Sequence, residues 1–271
     1  MSKVEVNNIQ IAFDETGSGS AVILLHGFPF NRTLWREQVF ALSPTHRVIT
    51  PDLRGFGESD VAESPATMAD MAQDVVALMD SLGIERATIG GLSMGGYVVL
   101  AFYKLFPERV SALTLSDTRP QADSEEAKVT RAKQAKDALA EGMAGIANSM
   151  LPKLFTPASV ATKPHDVQRV REMMMTTKPA GAAAALMGMA VREDHTETLA
   201  QINVPTLILV GREDPITPLS DSENMQKAIA GSQLVIIDNA SHVSNIEQAD
   251  QFNSHLESFL KQDKLANDVG A

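Results

Sequence analysis

The chain has 271 residues, of which 44% are hydrophobic and 21% charged, so it can bury a full core and wholesale disorder is disfavoured. A net charge of −11 provides no cationic surface for counterion release, which disfavours nucleic acid and anionic membranes as partners. With no cysteine in the chain, disulfides, thiolate nucleophiles and thiolate metal sites are excluded.

The start, Met1-Ser2-Lys3-Val4-Glu5-Val6, lacks the apolar run of a signal peptide. No stretch approaches the roughly 18 apolar residues of a membrane span. A cytoplasmic location is the default expectation. Residues 4–13 alternate loosely, as one half-buried strand does, and Gly17-Ser18-Gly19-Ser20 marks a turn. Residues 21–25 form a short apolar run that reads as a buried strand and ends at His26-Gly27-Phe28-Pro29. A second such strand, 47–50, ends at Pro51-Asp52. Met68, Met71, Ala72, Val75, Leu78, Met79 and Leu82 recur at helical spacing, Thr67 and Asp70 fit a capping box, and Gly83 fits the stop. A strand over 86–90, a helix over 94–106 closed by Pro107, and a strand over 111–116 follow.

Residues 119–198 then lose every convincing strand signal and become rich in Ala and Met. Helices are expected over 127–139, 167–175 and 181–189, so this stretch reads as a helical insertion. Strands return at 206–210 and 233–238, with helices near 220–230 and 248–260. The expected organisation is a core of residues 1–118 and 199–262, an insertion of 119–198, and a flexible tail of 263–271. Strands alternating with helices imply an α/β fold with a mostly parallel sheet, in which functional groups gather beyond the carboxyl ends of the strands.

That positional rule selects the chemistry. Gly91-Leu92-Ser93-Met94-Gly95 fits a nucleophile elbow, a turn between strand and helix too tight for neighbouring Cβ atoms. Ser93 is the candidate nucleophile and needs a base. His242 lies beyond a strand end and before the last helix, whereas His46, His165, His195 and His255 do not and read as surface or packing residues. His26 reads as shaping its loop by hydrogen bonding. The imidazole needs an orienting carboxylate. Asp214 and Asp117 both follow strands and both keep the order Ser, Asp, His of such elbows; Asp214 is the preferred candidate and Asp117 its competitor. The developing oxyanion needs two backbone N–H donors, expected from Met94 and from the loop after Leu25, most simply at Phe28.

Together these segments resemble the α/β-hydrolase fold family. The matching pieces are His26-Gly27-Phe28-Pro29, the stretch from Pro51-Asp52-Leu53-Arg54 to Glu58-Ser59-Asp60, the elbow at Ser93, residues 211–218, and Ala240-Ser241-His242. They occur in the family's order over nearly the whole chain and are similar to those of the small esterases, the cofactor-free perhydrolases and the 3-oxoadipate enol-lactonase-like members. Serine at the elbow argues against the dehalogenases and epoxide hydrolases, which use aspartate there. The resemblance implies that 119–198 is a helical cap and that Asp52 and Arg54 are structural.

The expected activity is hydrolysis of a small-molecule carboxylic ester through an acyl-enzyme, with no cofactor and no metal. The pH profile is expected to rise through a group near the ordinary histidine value of about 6.5. Lactone opening, perhydrolysis and C–C bond cleavage are alternatives on the same triad. A ligand-binding receptor or signalling protein on such a scaffold is the alternative of another class. Met150, Met173, Met174, Met175, Met187 and Met189 offer adaptable apolar surface in the insertion, with packing as their main expected use.

Overall fold

The computed structural model describes residues 1–61 and 65–268. Eight strands form one sheet: β1 (Ser2–Val6), β2 (Ile9–Thr16), β3 (Ala21–Leu25), β4 (Arg47–Pro51), β5 (Ala87–Leu92), β6 (Val110–Ser116), β7 (Thr206–Gly211) and β8 (Gln233–Ile237). Their order is β1-β2-β4-β3-β5-β6-β7-β8. The first two pairings, β1 with β2 and β2 with β4, are antiparallel. Every other pairing is parallel, as expected of strands separated by helical crossovers.

The first strand departs from expectation. Residues 4–13 are not one strand but two arms of a hairpin, in which Val6 pairs with Ile9. Asn7 and Asn8 both adopt positive φ, 49° and 63°, the combination a two-residue hairpin turn demands and asparagine tolerates. The polar pair Asn7-Asn8 interrupts the loose alternation, a local turn signal inside what otherwise reads as one strand.

Central strand β5 is buried along its whole length, as are nearly all of β3, β6 and β7. Such strands read as continuous apolar runs because helices cover both faces. The helix Met68–Ser81 begins with the full capping box between Thr67 and Asp70. It packs against the helix Met94–Leu105, which lies across β3, β5 and β6. The short helix Arg36–Leu42, absent from the sequence reading, packs on the closing helix. That closing helix runs Ala249–Asp268, well past residue 260, through most of the segment read as a flexible tail; residues 269–271 of that segment lie outside the described residues. Among the described residues no helix is long and apolar enough to cross a membrane.

Between β6 and β7 the chain forms helices Glu125–Glu141, Ala144–Leu154, Pro157–Thr162, Pro164–Met175 and Pro179–Ala190. Two of these, 144–154 and 157–162, carry short or mixed apolar patterns that periodicity did not reveal. The segment is fastened to the carboxyl-end side of the sheet. Thr177 Oγ1 donates to Pro29 O at 2.7 Å, and Val243 N donates to Leu154 O at 3.2 Å. The buried Glu247 carboxylate accepts from Thr156 N at 2.7 Å and Ser241 N at 2.6 Å, joining the insertion to the core. Met173, Met174 and Met189 are buried in the core, whereas Met175 is exposed.

The helix Pro179–Ala190 approaches the core backbone to backbone. Ala66 N donates to Ala184 O at 3.0 Å, and a Cβ added at Gly181 would lie 1.8 Å from Gly55 O. No side chain fits there without displacing the main chain. Gly181→Ala is therefore expected to destabilise the fold by about 1–3 kcal/mol. Gly145→Ala, where an added Cβ meets nothing within 4 Å, should stabilise its helix by about 0.5–1 kcal/mol. Paired thermal or urea unfolding curves read both signs.

Candidate active site

Five parallel strands, β3, β5, β6, β7 and β8, end on one edge of the sheet, and the candidate residues lie in the loops beyond them. Ser93 follows β5 directly with φ 54° and ψ −114°, a sparsely populated conformation for a side-chain-bearing residue that costs about 1–3 kcal/mol. The surrounding glycines make it feasible. An added Cβ would lie 2.3 Å from the Gly95 backbone at Gly91, and 2.1 Å from Leu25 O at Gly95. The turn is pinned from β6: Ser93 N donates to Ser116 O at 2.9 Å, and Thr118 Oγ1 donates to Ser93 O at 2.8 Å.

The strained turn aims Ser93 Oγ at His242, with 2.9 Å to Nε2. His242 Nδ1 lies 2.8 Å from Asp214 Oδ2. All three residues are buried, Ser93 retaining 8% exposure. With Nδ1 donating to the carboxylate, Nε2 is left to accept from the serine hydroxyl. Asp214 is itself held by its own loop. Its Oδ1 accepts from Ile216 N at 2.8 Å and Thr217 N at 3.1 Å, and its Oδ2 accepts from Thr217 Oγ1 at 2.6 Å. The neighbouring Glu213 points outward and is exposed.

Electrostatics follow from this packing. Burial works against the charge of Asp214, yet the His242 ring and the Thr217 donors outweigh it and keep the carboxyl below its usual range. Burial also works against an imidazolium at His242, but the Asp214 charge and its hydrogen bond, joined by Asp117 once that carboxyl ionises, leave the ring above its ordinary 6.5. The expectation of an unperturbed histidine near 6.5 is corrected accordingly: a buried counter-charge in contact, not solvent, sets its affinity for protons.

Asp117, the competing carboxylate, is fully buried but does not bond to the imidazole. It accepts from Gly211 N at 2.8 Å and from Ser244 Oγ at 2.5 Å. Burial, then the charge of Asp214, push it up to about 8. The two strand-end carboxyls thus carry opposite protonation states at neutral pH.

The candidate oxyanion donors lie beside Ser93. Met94 opens the helix Met94–Leu105, so its N–H has no intrahelical acceptor. The loop carrying Phe28 closes on the elbow, since a Cβ added at Gly27 would lie 3.3 Å from Ser93 Cβ. His26 holds that loop. Its Nδ1 lies 2.9 Å from Gly27 O, and its Nε2 accepts from Leu53 N at 3.0 Å. Burial, only partly offset by Asp52, keeps its ring below the ordinary value and so neutral at pH 7. Asp52 pairs with Arg32, and Arg54 with Asp74, as structural ion pairs. His165 and His255 are exposed, while His46 and His195 are buried away from Ser93 with Thr45 and Thr198 as neighbours.

Sequence reasoning missed Thr217, Ser244 and Glu247. Asp214-Pro215-Ile216-Thr217 carries the signal of a turn closed by an aspartate side chain, which points to Thr217. For Ser244 and Glu247 the sequence holds no local signal, because Asp117 and Thr156, which they meet, are remote in the chain.

Residues 20–249 match the family model described as the alpha/beta hydrolase fold. The chain is 33% identical to 3-oxoadipate enol-lactonase 1 of Acinetobacter baylyi, over 89% of this chain and 88% of that protein. Among solved structures it is similar to a thermophilic esterase from Thermogutta terrifontis, with malate bound. The TM-score there is 0.95 at 40% identity, covering 97% of this chain and 99% of that one. It is also similar to the enol-lactonase from Burkholderia xenovorans LB400, with a TM-score of 0.90 at 31% identity, covering 96% and 100%.

The raised affinity of His242 is testable without a substrate. Its imidazole should titrate above 6.5 by NMR, and Asp214→Asn should lower that midpoint by about one unit or more, since loss of a buried counter-charge removes 1.4 kcal/mol per unit. A midpoint unmoved by the substitution contradicts the pairing.

Proposed function

Because the chain belongs to the alpha/beta hydrolase fold family, we propose that it hydrolyses small carboxylic esters through an acyl-enzyme on Ser93. The observation that carries this reading is the unbroken line from Ser93 Oγ to His242 Nε2, at 2.9 Å, and from His242 Nδ1 to Asp214 Oδ2, at 2.8 Å. A serine hydroxyl alone is a weak nucleophile, and a base in contact with it is what turns it into one.

Ser93 attacks the ester carbonyl while His242 takes its proton. The oxygen of the tetrahedral intermediate faces the N–H groups of Met94 and Phe28, whose fixed dipoles favour charge as it develops. His242 returns the proton to the leaving alcohol. Water, deprotonated by His242, then attacks the acyl-enzyme and releases the acid. Asp214 keeps Nδ1 protonated throughout and offsets the imidazolium. Residues 119–198 serve as the cap over this chemistry, supported by the bonds of Thr177 to Pro29 and of Val243 to Leu154, which fall next to Phe28 and His242.

A second reading, lactone opening, is favoured by the enol-lactonase relatives. It uses the same steps, with the leaving alkoxide tethered to the acyl group. Turnover of p-nitrophenyl esters of rising acyl length beside simple lactones separates the two. Repeated turnover also separates either from a binding protein, which would retain its product.

Ser93→Ala should lower turnover of p-nitrophenyl acetate by about 10⁴-fold or more, the scale seen when a triad nucleophile is removed. Its unfolding midpoint should not fall. Activity at the wild-type level would end the proposal.

A further inference from the structure

Three loops meet at Asp117, a residue the proposed steps do not use. It follows β6 with φ 43°, a left-handed conformation that aspartate tolerates better than most residues. The side chain turns into the interior, where it is fully buried. Its Oδ1 takes the N–H of Gly211, at the end of β7, at 2.8 Å. Three residues on from Gly211 stands Asp214. Asp117 Oδ2 takes the hydroxyl of Ser244 at 2.5 Å. Two residues before Ser244 stands His242.

We propose that Asp117 is a positioning residue of the catalytic centre: its carboxyl joins the Asp214 loop to the His242 loop and acts on the reaction through the imidazole. This inference rests on the triad reading above but names a residue outside it.

The separations in sequence show why such a link matters. Gly211 is 94 residues from Asp117 and Ser244 is 127 residues from it. The acid and the base of the triad sit on different loops, and their 2.8 Å contact holds only while the two loops keep their spacing. A displacement of about 1 Å can cost on the order of 10²-fold in rate. Asp117 binds both loops from below with one rigid group. Asp214 is also within electrostatic range, and its negative charge raises Asp117. His242 in turn is raised by Asp117 once that carboxyl ionises.

The charged groups that face Asp117 are Asp214 from the loop after β7 and His242 from the loop after β8. Arg119, two residues on in its own loop, acts on His242 in the opposite sense. Gly211 and Ser244 supply neutral contacts. Below about pH 8 the Asp117 carboxyl is neutral and serves as a clamp. Above that it adds a second negative charge beside His242, which favours the imidazolium formed as Ser93 gives up its proton. A purely structural clamp would scale activity equally at every pH, whereas this arrangement alters the shape of the profile.

The test compares wild type with Asp117→Asn. The amide keeps an acceptor for Gly211 N–H and a polar group for Ser244 but cannot ionise. Between pH 6 and 9, kcat/KM for p-nitrophenyl acetate in the wild type should show a second rise of about threefold or more centred near 8, as a charge at this range in a low-dielectric interior predicts. Asp117→Asn should lack that rise. Profiles that superimpose after multiplication by one constant overturn the proposal. The same titration followed by NMR of 15N-labelled histidine, with the His242 signal assigned through His242→Gln, needs no turnover. Two inflections at His242 in the wild type and one in Asp117→Asn support the role, and identical curves overturn it. A wild type that hydrolyses no ester therefore defeats the ester reading alone, while the NMR comparison still decides the role of Asp117.

Discussion

The whole site depends on how closely the turn after β5 approaches the neighbouring strand. An added Cβ at Gly95 would sit 2.1 Å from Leu25 O, so the helix Met94–Leu105 can start directly above the sheet only if position 95 has no side chain. That approach forces Ser93 into its strained conformation and lifts its hydroxyl out of the sheet. It also places the opening N–H of the helix beside the loop of Phe28. Candidate nucleophile and candidate oxyanion donors are thus products of one steric constraint. The strain, on the order of 1–3 kcal/mol, is sustained by the buried strands on either side and by the pins from Ser116 and Thr118.

Around that turn the structure confines ionisable groups in a nearly dry edge. Isolated charges there would be costly, and each has a specific compensation. Asp214 has three donors from its own turn as well as the imidazole. Asp52 has Arg32, and Asp74 has Arg54. His26 avoids the problem by remaining neutral with both ring nitrogens bonded. Asp117 avoids it by holding its proton, which lets two carboxyls flank one histidine without mutual repulsion.

The helices of 119–198 are attached by a different means. Small residues, Gly181 against Gly55 and Ala184 against Ala66, let main chains touch. The Glu247 carboxylate then bridges the insertion to the residue preceding His242. The methionines contribute bulk to this interface: Met174 is fully buried, and Met187 and Met150 pack against the same core. Displacement of the insertion would therefore disturb His242 directly, through Ser241.

The sequence by itself determined the features that depend on neighbours in the chain. The glycine pattern around Ser93, the capping box at Thr67 and Asp70, and the turn residues that end each parallel strand are local constraints, so their meaning survives without a fold. They sufficed to single out Ser93, Asp214, His242, Met94 and Phe28 as candidates beyond strand ends. The turn at Asn7 and Asn8 was equally local, marked by two adjacent polar residues within an otherwise alternating run. Only the tertiary structure decided which strand-end carboxylate meets the imidazole. Ser93 and His242 are 149 residues apart, and His242 and Asp214 are 28 apart; Asp117 stands at an equally suitable strand end. The choice between them rests on strand order, the direction of each side chain, and the partners that keep one buried carboxyl charged while burial leaves the other neutral, none of which is a property of a short stretch of chain.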